Sequence, residues 1–469
     1  MNMNIDREVE NKPQTYVALG EHSGSILAHI NLEVISWCFI LPIAVMLSIA
    51  HSRYTVPVQL VFLIINAIAL LFGIIYNTST PDLYENNAHH KVGWIATWVI
   101  PDYARVDFST RNMTDHQRLY SPLNEYRWSG DSGQGTVRPT TPEEEHFPKP
   151  DGEEGEEDIA MSTPLVRGLL RNRALDKFFI LHQSNSQSGV KPSSSATGIV
   201  TYSGIFRGFE IFSGLAHFIK DGIFFWYGLV ILGRYMGCWA YFRWSWNLKP
   251  ASSRAVTGEL VESALIFTYG STNVFLEHLA GWGKAWTAQD LEHVSISVVF
   301  FGAGLSIMGK TAATTQQEEE QETSGVSFNP MPLLTIFLLG IMMGGHKQEQ
   351  MVSIMVYKQW GNLLSGAAMA RAMTYITMYI KPLMPHLPAR PPSELVGAFC
   401  LMSGGLIFMS SAKNIMDVMD RYDLDAMFTF NVALGLSCFI MAYEIIVLVI
   451  KAWAVKESLQ YHAHSRSSV

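Results

Sequence analysis

Long uninterrupted apolar blocks constrain this chain more than any other feature of its sequence. The first block runs from Ile26 to Ala50 and the second from Val56 to Tyr76. Each is long enough to span a bilayer as a helix, which takes roughly 20 residues. Charged residues make up only 16% of the chain, whereas soluble domains carry about a quarter. The sequence therefore predicts an all-α, multi-pass integral membrane bundle rather than a soluble enzyme.

A second membrane region begins near Tyr202. Its predicted helices cover residues 203–219, 222–242, 259–280, 291–309, 330–345, 351–380, 394–411 and 426–453. In the first region, a third apolar segment at 92–100 stops at Pro101 and has about half of the length that a span needs. Eleven spans result if every segment crosses, and nine result if 92–100 and 203–219 do not. We therefore predict about 9–11 transmembrane helices.

Composition divides the chain into five parts. They are a polar N-terminal segment at 1–25, a first membrane region at 26–101, a linker at 102–199, a second membrane region at 200–455 and a polar tail at 456–469. The linker is rich in Ser, Pro, Glu and Gly and has nine acidic residues between Glu143 and Asp158. So little apolar surface does not offset the entropy of ordering. We predict that the linker is a long disordered loop, open to protein partners.

Charge indicates the partners and the orientation of the chain. The net charge is −8, and much of the acidity lies in the linker and in the Glu318–Glu322 loop, so no basic surface for nucleic acid is predicted and the expected partner is the lipid bilayer. The positive-inside rule places the more basic loops in the cytosol. Those basic residues are Arg53, Arg243, Lys249, Arg254, Lys381, Arg390, Lys451 and Lys456. The linker and the C-terminus are accordingly predicted to be cytosolic.

Histidines of the first region form a candidate haem site. His29 lies near the start of the first helix, and His89 and His90 begin the third segment, so both places are predicted at the non-cytosolic end. Two histidines on neighbouring helices at one depth can hold a haem iron from both axial sides. The alternative is a partly hydrated histidine at a helix end.

A second group of imidazoles and carboxylates is predicted near non-cytosolic helix ends. Its members are His217, Glu277, His278, Glu292, His293, His346 and Glu349. Short connections predicted at Lys220–Asp221, Gly281–Gln289 and Gly344–Gln348 bring those ends together. Adjacent helical residues diverge by about 100°, so each Glu–His pair presents one member to a given point. The set is typical of a Zn or Fe site, and a hydrated polar network is the alternative.

Several charged residues lie deeper in the predicted helices: Glu33, Arg234, Glu262, Arg371 and Glu444. A charge inside a membrane is costly and normally faces the bundle or a cavity. We predict Arg–Glu pairs across helices, with a transport pathway as the alternative. The four cysteines lie in apolar runs, which is typical of small buried apolar residues rather than of disulfides.

Four blocks of the second region are distinctive: Gly204–Gly228, Asn273–His278, Gln289–Ser295 and Asp423–Phe428. They resemble the C-terminal domain of the fungal YTP family of transmembrane proteins. The first region, through Ala28–Trp37, Leu41–Pro42 and Asn87–Trp94, is similar to the cytochrome b-561 and ferric reductase transmembrane fold. That resemblance implies one b-type haem held by His29 and by His89 or His90. A second haem is not implied, because no histidine lies between Val56 and Tyr76.

The expected function is that of a transmembrane redox or metal-handling protein. Two other classes stay open: a transporter or channel that uses Glu33, Glu262, Arg371 and Glu444, and a non-catalytic membrane scaffold. The sequence has no GxGxxG after a strand, no P-loop and no HExxH motif, so these motifs predict no enzyme class. The family resemblance brings no established reaction either.

Overall fold

A computed structural model of the chain describes residues 15–50, 52–84, 87, 89–94, 197–208, 210–238, 244, 258–277, 285–317, 330–346, 348, 350–380 and 390–467. The chain divides into two compact units. The first comprises residues up to Glu85 and from Tyr202 onward, and the second comprises Asn86–Thr201. The predicted linker at 102–199 lies outside the described residues except for 197–199, which are helical.

The described part of the first unit is built from ten labelled helices. They are α1 (Ser23–Ile49), α2 (Thr55–Ser79), α3 (Glu210–Met236), α4 (Gly258–Glu277), α5 (Ala288–Gln317), α6 (Met331–Gly344), α7 (Met351–Ile380), α8 (Pro392–Met409), α9 (Lys413–Arg421) and α10 (Ala426–Ser467). Residues Val34–Ile40 make a π-helical turn within α1. No strand occurs among the described residues. The predicted all-α class is confirmed.

The helices have the length and composition of a membrane protein. Within the described residues, α1, α2, α3, α8 and the Ala426–Ser458 part of α10 are long and apolar enough to cross a bilayer. Large apolar side chains such as Ile64, Leu71 and Phe439 are exposed on them, and lipid covers such surfaces in a membrane. The multi-pass fold and the contact with lipid are confirmed. The number of 9–11 crossings stays a prediction, since α6 has only 14 residues.

Helix α3 replaces two predicted helices. The prediction of separate segments at 203–219 and 222–242 with a connection at Lys220–Asp221 is wrong, because one helix runs from Glu210 to Met236. The helix continues through both residues, of which Lys220 is 7% and Asp221 is 0% exposed. His217 Nδ1 lies one turn away, 3.6 Å from Asp221 Oδ2. These polar residues face the interior of the bundle, so they do not mark a turn.

The cysteines were only partly predicted. All four are described and none forms a disulfide. However, Cys38 and Cys438 are exposed, contrary to the predicted burial, whereas Cys238 and Cys400 are partly buried. In a membrane the outer surface of a helix contacts apolar lipid, so an apolar run does not distinguish the core from the surface.

The helices of the first unit begin and end at two opposite faces of the bundle. Helices α1 and α2 are antiparallel, because Trp37 donates to Asn66 whereas the earlier His29 contacts the later Ala69. Helix α10 runs parallel to α1, since Tyr443 contacts Phe39 and, further along both segments, Glu457 pairs with Arg53. We call the end that carries residues 79–84, 205–208, 344–346 and 410–425 the N-terminal face. The opposite end, with residues 52–54, 234–238 and 454–457, is the C-terminal face.

The chain leaves the first unit and returns to it at the N-terminal face. Tyr84 Oη lies 2.9 Å from the carbonyl oxygens of both Ile205 and Phe206. A segment whose two ends lie at one face of a membrane crosses it an even number of times or not at all. Residues 95–100 lie outside the described part of the chain, so a crossing at 92–100 stays a prediction.

If the residues between Tyr84 and Ile205 do not cross the membrane, the linker and the C-terminus lie on opposite sides of it, which is an alternative to their predicted common location in the cytosol. If the C-terminal face is cytosolic, Asn112 of the Asn-Met-Thr sequon will be glycosylated. Asn112→Gln should remove one endoglycosidase-sensitive gel shift. Protease added to sealed microsomes should digest a C-terminal tag and leave the linker intact. A bare Asn112 in a linker that is cleaved from outside would contradict this topology.

Candidate metal centre

Two histidines meet at the N-terminal face. His293 lies in the second turn of α5, and His346 follows the end of α6. Their ring centroids are 5.1 Å apart, with 41° between the ring planes. Glu292 Oε2 lies 3.1 Å from His346 Nδ1, and the side chains of His346 and Glu292 are 8% and 64% exposed. The arrangement combines two imidazoles with a carboxylate that reaches water.

The register of α4 against α5 brings Glu277 toward the same place. Asn273 Nδ2 donates to Ser297 Oγ at 2.7 Å in the buried contact between the helices. A Cβ on Gly270 would lie 2.3 Å from Phe301 N, so the helices pack backbone to backbone there. In this antiparallel register residue 277 lies opposite residue 293. The side chains of Glu277, His278 and Glu349 lie outside the described residues.

His217 lies at the same face but apart from this pair. Its ring centroid is 5.3 Å from that of Phe408, which is 5.4 Å from Tyr357, which in turn is 6.2 Å from His346. Two aromatic rings therefore separate His217 from His346. Among the side chains that the structure describes, no group of three or more His, Cys, Asp or Glu residues is placed to hold a metal ion. Of the predicted set, His293, His346 and Glu292 come together.

The haem candidates belong to different units. In the first unit, His29 Nδ1 lies 2.9 Å from Ala69 O, and its ring packs against Gly73. When Nδ1 donates to a carbonyl, Nε2 carries the lone pair. In the second unit, His89 Nδ1 is 3.4 Å from Thr197 Oγ1, and His90 Nε2 accepts from Trp94 Nε1 at 3.2 Å. Ligation of one haem by these residues stays a prediction.

A charge network joins four helices near the C-terminal face. Arg234 Nη1 lies 3.0 Å from Glu262 Oε1, and Arg371 Nη1 lies 3.4 Å from Glu262 Oε2. Arg371 Nε lies 2.8 Å from Glu394 Oε1, which accepts from Thr374 Oγ1 at 2.7 Å. The predicted Arg–Glu pairing across helices is confirmed for Arg234, Glu262 and Arg371.

Glu394 was not among the predicted deep charges. It follows Pro391-Pro392 and lies in the first turn of α8, where a carboxylate is commonly an exposed residue that favours the helix dipole. Its position close to a proline pair therefore gave no signal for burial. Its burial becomes apparent only when α7 brings Arg371 and Thr374 against it.

Comparison with known sequences identifies the family. Residues 193–452 match the family described as Protein YTP1-like, C-terminal. Residues 10–103 match a domain of unknown function, DUF2427. Neither description names a cytochrome, so the cytochrome b-561 likeness stays a prediction.

Two fungal relatives share the membrane character. An uncharacterized membrane protein of Schizosaccharomyces pombe is 32% identical over 92% of this chain and 94% of the relative. An uncharacterized membrane protein of Saccharomyces cerevisiae is 39% identical over 53% of this chain and 44% of that relative. The chain therefore spans under half of the second relative but nearly all of the first. With its helical membrane bundle and these matches, the chain belongs to the YTP1-like family of membrane proteins.

Proposed function

We propose that this membrane protein binds a divalent transition-metal cation, Zn²⁺ or Fe²⁺, between His293 and His346. The separation of the two rings carries the proposal. A Zn–N bond is about 2.0–2.1 Å long, so the centroid of a ligating imidazole lies roughly 3.2 Å from the metal. At a tetrahedral angle, two such centroids are then about 5.2 Å apart. The observed separation is 5.1 Å.

Glu292 supports one of these ligands. A carboxylate that accepts a hydrogen bond from one ring nitrogen of a histidine orients the ring and leaves the other nitrogen to bind metal. Glu292 Oε2 is 3.1 Å from His346 Nδ1, so Nε2 of His346 is the proposed ligand atom. Because Glu292 is largely exposed, it also gives the site a polar opening to water, which a metal ion needs as an entry path.

Further ligands are available in the sequence. Zinc in proteins usually has four ligands, and catalytic or exchangeable sites keep one position for water. Two imidazoles alone bind weakly. Glu277, opposite His293 in the α4–α5 register, and Glu349, three residues after His346, are the proposed additional donors.

Binding of Co²⁺, a spectroscopic substitute for Zn²⁺, tests the site. The purified protein should take up one Co²⁺ with the visible absorption of nitrogen ligation, and His293→Ala and His346→Ala should each abolish it. Glu292→Gln should weaken binding roughly 10–100-fold, the usual effect of losing a residue that orients a ligand. His90→Ala, in the second unit, is the matched control and should bind normally. If both His293→Ala and His346→Ala bound Co²⁺ as the wild type does, the metal site would have to lie elsewhere.

A further inference from the structure

Two polar layers lie at opposite ends of the same helices. At the N-terminal face, Tyr357 of α7 and Phe408 of α8 adjoin the histidines. Near the C-terminal face, the same two helices contribute Arg371 and Glu394 to the charge network. Fourteen residues separate the two levels on each helix, which is about 21 Å at 1.5 Å per residue. The layers therefore lie most of a hydrocarbon core apart, which is roughly 30 Å thick.

The region between the layers is apolar and tightly packed. Trp360 stacks on Phe408 with ring centroids 3.8 Å apart and an interplanar angle of 2°. Below this stack, Leu364 and Met402 have no exposed surface. A cation at the histidine pair thus has water on one side, through Glu292, and a closed apolar layer on the other.

The charge network lies at the opposite end of these helices. Replacing a buried ion pair by apolar side chains of similar volume is often neutral or stabilising. Four buried charges are therefore not needed merely to hold the helices together. Charges inside a membrane bundle commonly mark an ion or substrate path. Two arginines balance two glutamates here, and the Arg371–Glu394 contact joins α7 to α8 at this level, so its separation would open this end of the bundle to a cation.

We propose that the chain transports the divalent cation across the membrane, and that this structure is the state open to the N-terminal face and closed at the Arg371–Glu394 contact. The proposal rests on the metal site proposed above. The cation enters at Glu292, binds His293 and His346, and leaves past Glu394 when the network separates. In that cycle the Arg371–Glu394 contact acts as the gate of the C-terminal face.

Proteoliposomes that enclose a Co²⁺-quenched dye test the proposal. The wild-type protein should give saturable Co²⁺ influx above that of protein-free liposomes. Glu394→Gln keeps the shape of the side chain but removes its charge, and should raise downhill influx roughly 10-fold, because losing a charge-assisted hydrogen bond shifts a two-state gate by about that factor. Glu457→Gln, which removes the partly buried partner of Arg53 at the same face, should leave influx unchanged.

Further variants separate the possible failures. His346→Ala should abolish influx both as a single substitution and in combination with Glu394→Gln. Influx that persists in the double variant would contradict a path through the histidines. If Glu394→Gln does not fold, Thr374→Val removes one hydrogen bond to Glu394 and should give a smaller increase. If the protein binds Co²⁺ normally in detergent but neither the wild type nor either gate variant shows influx, the transport proposal is wrong and the metal site stands. Absence of Co²⁺ binding overturns the proposed metal site itself.

Discussion

Arg371→Met is expected to lower the free energy of unfolding of the bundle by about 3–5 kcal/mol, which is the cost of leaving a buried charge without its partner. The arginine contacts Glu394 and Glu262, whose side chains are 2% and 12% exposed. Glu262 keeps Arg234, but Glu394 loses its cationic partner in the network. Denaturation of the purified protein in detergent, followed by tryptophan fluorescence, measures the loss.

Two further variants make this result specific. Arg53→Met breaks the pair with Glu457, in which the arginine side chain is 66% exposed, and should not change the denaturation curve measurably. Arg371→Met combined with Glu394→Gln removes both charges and should recover most of the lost stability. An effect of Arg371→Met as small as that of Arg53→Met would contradict the assumption that Glu394 is left as an unpaired buried carboxylate.

Gly361→Val is expected to separate α6 from α7 and to abolish metal binding along with the packing. A Cβ at residue 361 would lie 2.3 Å from Gly340 O and 2.9 Å from Gly344 Cα. These are backbone atoms, so neither helix can accommodate the side chain by a rotamer change. Overpacking of this kind typically costs 1–3 kcal/mol and sometimes more. Because His346 follows the end of α6, a shift of α6 also moves it from His293.

A glycine on the lipid-facing side of the bundle provides the control. Gly435 of α10 has no atom within 4 Å of the position of a Cβ, so Gly435→Val should leave both stability and Co²⁺ binding close to wild type. The measurements are denaturation in detergent and a Co²⁺ titration of each variant. Normal Co²⁺ binding by Gly361→Val would show that the α6–α7 contact does not position His346.

The apolar pattern was sufficient for the fold class and for many helix limits. Predicted helices at 330–345 and 351–380 correspond to α6 at Met331–Gly344 and α7 at Met351–Ile380. This agreement has a physical reason. Inside a bilayer every backbone polar group must be hydrogen-bonded within the helix, and an unbroken apolar surface is favoured. The same reasoning failed at Lys220–Asp221, because polarity does not distinguish a turn from a buried ionic group.

The set of polar residues at the N-terminal face was predictable, but its division into sites was not. Loop positions along the chain place His293 and His346 near one end of the bundle, whereas the loop predicted beside His217 is absent because α3 continues through it. Whether such residues meet depends on the rotation of each helix about its axis, because neighbouring side chains diverge by about 100°. In the folded bundle, His293 and His346 lie side by side, whereas Tyr357 and Phe408 stand between His346 and His217. Such rotations are set by packing of α5, α6 and α7 against one another, and hydropathy along the chain does not record them.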